Sequence, residues 1–247
     1  MSEIEDDKAI SLWNNVLRAA LSIPGARVIR EKFLIAEFSK YVDQITLENA
    51  IIKGTGNAGI DIIIMDKVAN SCIGFHTTLA TTISAAAGIP GGIALLGTVP
   101  ADLAQYYYQT IVISQKLAYI YGWPDIGEEE ISDEYMLKIT LFLGIMAGAK
   151  AANAAVTQMC KQVALEVAKR LPREALTKYG IYNVAKQVAK WMGISITKAS
   201  FSRIVGKAIS PLGAVISGGI TLLSFLPMAN NLKNYLRTLP TATGING

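Results

Sequence analysis

Between Lys67 and Asp102 the chain carries no charged residue. Such a run fits a protein interior, a bilayer, or a surface that meets both. Glycine and proline break it twice, in "GIPGG" at 88–92 and "GTVP" at 97–100. It therefore reads as a hydrophobic helical hairpin bent at those positions. A second uncharged run covers 25 residues from Ala208 to Leu232. That is long enough to span a bilayer, but Pro211, Gly218, Gly219 and Pro227 punctuate it.

Composition places the chain between the usual classes. Of 247 residues, 51% are hydrophobic and 17% charged, with mean hydropathy +0.36. An ordinary soluble domain carries about 25% charged residues. Two cysteines, Cys72 and Cys160, cannot build a disulfide framework, so a reducing compartment is expected. The start "MSEIEDDK" lacks the basic residues and early apolar run of a secretory signal. A cytoplasmic, peripherally membrane-associated protein is the resulting expectation.

Charge is unevenly spread. Residues 1–149 hold 10 Lys/Arg and 17 Asp/Glu, a balance of −7; residues 150–247 hold 13 and 2, a balance of +11. A basic half on an apolar chain points to anionic lipid surfaces. No groove-reading motif accompanies it, so nucleic acid is not an expected partner.

Helical periodicity runs almost throughout. Ile10, Trp13, Val16 and Leu17 mark a first helix that stops at Pro24-Gly25, and "RVIREKFLIAEFSKYVDQI" reads as a second. "IDIII" at 60–64 continues into a long helix better than it stands as a strand. After Pro100, the residues Asp102, Gln105, Gln109, Val112 and Lys116 are spaced +3, +4, +3, +4, which puts four polar groups on one helical stripe to about Tyr121. Ser132-Asp133 reads as the next helix start. Two stripes of small residues predict close helix contacts: Gly144, Gly148, Ala151 or Ala152, and Ala155; then Gly206, Ser210, Gly213, Ser217 and Thr221.

Residues 181–192, "IYNVAKQVAKWM", have the composition of a short interfacial helix, with Ile181, Val184, Val188 and Trp191 on one side and Asn183, Lys186, Gln187 and Lys190 on the other. Lys186, Lys190 and Trp191 are its candidate lipid contacts. The alternative is a surface helix docked on the core.

Catalytic signals are weak. "GTGNAG" at 54–59 matches G-x-G-x-x-G, but a mediocre strand precedes it and positions 70–90 contain no acid for a ribose, so it reads as a glycine break between helices. Cys72 and His76, four apart on one face, make half of a zinc site at most. His76 is the only histidine, which limits acid–base chemistry. Ser195 and Lys198 have S-x-x-K spacing without companion motifs. Asp61 and Asp66 border apolar runs. No catalytic residue, metal or cofactor is assigned.

"GIPGGIALLGTVPADLAQYYYQTIVISQKLAYIYGW" resembles the central segment of the EcsC family, with a Gly/Pro-rich entry, a Pro-x-Asp helix start and a closing Tyr-Gly. "KASFSRIVGKAISPLGAVISGGITLLSFLPMANNLKNYLR" is similar to that family's C-terminal segment. The positions that match are Gly88, Pro90, Gly91, Pro100, Asp102, Tyr121, Gly122, Pro211 and Gly213. A weaker likeness connects the same pattern to helical membrane-associated domains attached to some bacterial GTPases. The resemblance spans about residues 45–240 and leaves 1–44 outside it, with 241–247 as a frayed tail. It implies an all-α bundle, bacterial in its best-known members and linked to membranes, and it supplies no catalytic residue. The expectation is a non-catalytic helical protein that binds anionic lipid or a membrane-protein partner. The rivals are a membrane-permeabilising, pore-forming effector and a soluble carrier of an apolar ligand.

Overall fold

A computed structural model describes residues 3–85, 101–127, 130–165, 180–207 and 213–244. All regular structure among them is helical. The helices are α1 (Glu3–Leu21), α2 (Arg30–Phe38), α3 (Gln44–Lys53), α4 (Ile62–Ala85), α5 (Ala101–Ile120), α6 (Asp133–Met146), α7 (Lys150–Leu165), α8 (Ile181–Lys207), α9 (Gly213–Leu236) and α10 (Pro240–Thr243). They pack as one bundle around a common apolar core.

The centre of the bundle is α5, which packs against α1, α2, α4, α6 and α9. Ile111, Ile113, Leu117, Ala118, Tyr119 and Ile120 are fully buried, and so are the polar Thr110, Ser114 and Gln115. A helix enclosed on all sides must satisfy its polar groups internally. Thr110 and Ser114 donate back to the Tyr106 and Ile111 carbonyls. Gln115 donates to the Ala26 carbonyl at 2.7 Å and accepts from the Val28 amide and the Tyr135 hydroxyl. The polar stripe of α5 is thus partly inside: Gln109 is buried and Gln105 and Lys116 are half-buried.

Local signals set the helix ends. Three acids occupy the first turn of α1, where the helix dipole favours them. The predicted second helix is two: the chain breaks at 39–43, and Asp43 caps α3 by accepting from the Thr46 amide at 2.9 Å. That capped start competes with a continuous helix, which apolar spacing alone does not register. Asp61 accepts from the Ile63 amide at the head of α4 (2.7 Å), and Ser132 caps α6 through the Tyr135 amide (3.0 Å).

A buried arginine ties the first helices to the end of α5. Arg30 donates to the carbonyls of Ala50 and Ile51, in the last turn of α3, and to that of Trp123. The last carbonyls of a helix have no partner within it and carry its negative dipole end, so they suit a cation. Burial lowers the Arg30 pKa, with Tyr119 and Asp125 acting in the opposite direction.

The two arms of the expected hairpin, α4 and α5, lie against each other, and α9 packs on both. The bend itself, with Gly88, Pro90, Gly91 and Pro100, lies outside the described residues, as does Pro211.

Candidate functional site

The basic helix expected at 181–192 is the first half of α8. Its apolar side is docked. Ile181, Ala185, Val188, Ala189, Met192 and Ile196 are buried, and α8 packs on α1, α6 and α7. With 100° per residue, the exposed arc carries Asn183 and Gln187 near its middle, Tyr182 and Lys186 towards one edge, and Trp191 at the other. Trp191 therefore stands beside the apolar face rather than within it. Tyr182 is 51% exposed and Trp191 41%. Lys186 is exposed, with its ammonium 5.6 Å from the Tyr182 ring centroid. Lys190 is half-buried and paired with Asp6 of α1. Of the three candidate contacts, Lys186 and Trp191 face outward and Lys190 is committed to a helix–helix pair.

The α1–α8 contact depends on a glycine that sequence periodicity did not single out. A Cβ added at Gly193 would overlap the carbonyl of Ala9. A glycine in a helix interior costs about 1 kcal/mol against alanine, and that cost was the available signal. The first small-residue stripe is partly confirmed. A Cβ at Gly144 would lie 2.6 Å from Val188 Cγ1, and Ala152 and Ala155 are buried. Gly148 instead forms the α6–α7 turn with φ +86°, and Ala151 is exposed. The side chains of the second stripe, 206–221, lie outside the described residues.

The Tyr-Gly pair closing α5 has two distinct roles. The Tyr121 hydroxyl donates to Asp66 Oδ1 on α4 at 2.8 Å, and the Arg237 guanidinium donates to the same carboxylate at 2.8 and 3.1 Å. Burial first, then the bonded carboxylate, raises the Tyr121 pKa. Gly122, with φ +83°, and Gly56 both lie against the Thr241 carbonyl. A Cβ at Gly54 would stand 2.6 Å from the Gly122 carbonyl oxygen. Thr55 donates to the Ile120 carbonyl at 2.8 Å. Gly54 and Gly56 of "GTGNAG", with Gly122, thus let three backbone segments meet, and the motif lies in a turn between α3 and α4 with no strand before it. Of the tail expected to fray, Thr241 and Ala242 are instead buried in α10, which packs on α7.

Cys72 and His76 lie on the inner side of α4, both buried. His76 Nδ1 is 2.9 Å from Gln109 Oε1 of α5. Burial pulls the imidazole from 6.5 to about 4 and pushes the Cys72 thiol up to about 11. Among the described residues no group of three or more His, Cys, Asp or Glu side chains could hold a metal ion. No helix there is long and apolar enough to cross a membrane.

Set against models of protein families, curated proteins and solved structures, the chain finds no match in any of the three.

Proposed function

We propose that this is a non-catalytic, membrane-associated helical protein that binds anionic surfaces, or a partner presented there, through the outer face of α8. The observation that carries the reading is the outer face of α8, with exposed Tyr182 and Lys186 at one edge and exposed Trp191 at the other, in the part of the chain with a charge balance of +11. Amphipathic aromatics suit the headgroup level of a bilayer, and a nearby cation gains about 1 kcal/mol at an anionic surface. The docked apolar side of α8 changes the mode of contact from the one its composition suggests. The helix meets the surface with its edges and polar arc while its apolar face stays in the core. The resemblance to EcsC proteins agrees with this reading.

The test is co-sedimentation with phosphatidylserine-containing and phosphatidylcholine-only vesicles at low and high salt. Binding is expected on the anionic vesicles, weakened by salt and by Lys186→Glu. Lys190→Glu is a poor probe, because it sets a second carboxylate against Asp6. Equal binding to neutral vesicles, or no response to Lys186→Glu, contradicts the proposal.

A further inference from the structure

The contact between α4 and α5 holds the chain's only histidine. His76 is 3% exposed, and its hydrogen bond to Gln109 Oε1 crosses from α4 to α5. A carbonyl oxygen only accepts, so Nδ1 carries the proton and donates. Nε2 is then the basic nitrogen, and it is buried with no hydrogen-bond partner among the described residues. The Phe75 ring stands edge-on to the imidazole at 5.4 Å.

Among the described residues nothing is placed to receive a second N–H. On α4 the nearest titratable neighbour is the Cys72 thiol, one turn earlier. From α5 come Gln109 and the cation of Lys116, which itself opposes a charge on the ring. Also on α5 are the phenols Tyr106, bonded to Met228 of α9, and Tyr107, edge-on to Trp13. The third packed helix, α9, has no titratable side chain before Lys233, and Lys233 donates to Asn70 further along α4. No carboxylate among the described residues contacts the ring.

We infer that His76 is an acid-sensitive latch between α4 and α5. A proton taken up at Nε2 places an imidazolium beside Lys116 with no acceptor for its new N–H, so the two helices separate and expose the apolar faces between which the ring lies. The direction follows from linkage. Folding holds the ring neutral, with its pKa at about 4 against 6.5 when free. The closed contact has its full strength above pH 6.5 and loses it as pH falls towards 4. Across that window the closed-to-open ratio drops by up to roughly 300-fold. This inference is independent of the proposed lipid contact, which lies on α8.

The test is fluorescence of an apolar dye, anilinonaphthalene sulfonate, during acid titration of the full chain. Wild type is expected to bind several-fold more dye as pH falls through this window. His76→Gln, which keeps a polar group but cannot titrate there, is expected to stay flat until carboxylates protonate. Lys116→Gln removes a cation that opposes the imidazolium, brings the closed-state pKa nearer the free value, and is expected to bind less dye than wild type at the acid end of the window. Superimposable wild-type and His76→Gln curves, or a larger acid response in Lys116→Gln than in wild type, overturns the inference. Should His76→Gln fail to fold, the ring proton resonances of the single histidine serve instead. Titration at an ordinary imidazole value in the folded protein, without dye binding, likewise overturns it.

Discussion

Tyr121 and Asp66, 55 residues apart, are joined by a 2.8 Å hydrogen bond that fixes the end of α5 to α4. Arg237 reaches the same carboxylate from beyond α9, so one side chain joins three parts of the bundle. The tyrosine end is protected from water and the arginine is about half exposed. Exposed ion pairs contribute about 0–1 kcal/mol, whereas an orphaned buried hydroxyl costs about 1–3 kcal/mol. Urea melts should therefore rank the variants with Asp66→Ala most destabilised, Tyr121→Phe next at about 1 kcal/mol, and Arg237→Gln least. Arg237→Gln as the most damaging change would contradict the assignment.

Two helix glycines should respond oppositely to alanine. At Gly193 the new methyl meets the Ala9 carbonyl, while at Gly74 it meets nothing within 4 Å. Overpacking costs about 1–3 kcal/mol, and Gly→Ala in an open helix position gains about 0.5–1 kcal/mol. Thermal melts should show Gly193→Ala below wild type and Gly74→Ala above it. A neutral Gly193→Ala would mean that α1 and α8 cross less closely than described.

Both thiols should be silent in the native state. Burial raises the Cys72 pKa to about 11 and also raises that of Cys160. Thiolate is the reactive form, so a thiol reagent at mildly alkaline pH should label neither residue until denaturant is added. Rapid labelling of native Cys72 would show that α4 opens at that point.

The fold was legible in the sequence because helix-period apolar spacing is a property of neighbours along the chain. Trp13, Val16 and Leu17 were expected on one face, and all three are fully buried. Features that depend on a distant partner were not legible. Nothing near Lys190 announces that Asp6, 184 residues away, takes up its charge. Nothing in "GTGNAG" states that Gly56 admits the Thr241 carbonyl or that Gly54 admits that of Gly122. Trp191 was placed on the apolar side by its spacing from Val188, but the breadth of the α1 contact set which residues were covered, and it left the indole at the edge. The same partner-dependence hid the roles of Arg30 and Asp66, whose hydrogen bonds all cross between elements.

The most direct measurement of the proposed function uses the tryptophans. Trp13 and Trp123 are fully buried, and Trp191 is 41% exposed. Brominated lipids quench an indole only at close range, so quenching on vesicles reads the α8 edge selectively. The account predicts quenching on anionic brominated vesicles, its reversal by salt, and its loss in Trp191→Phe. Unquenched fluorescence on vesicles that nonetheless carry the protein, or quenching that survives Trp191→Phe, would show that α8 is not the surface that meets lipid.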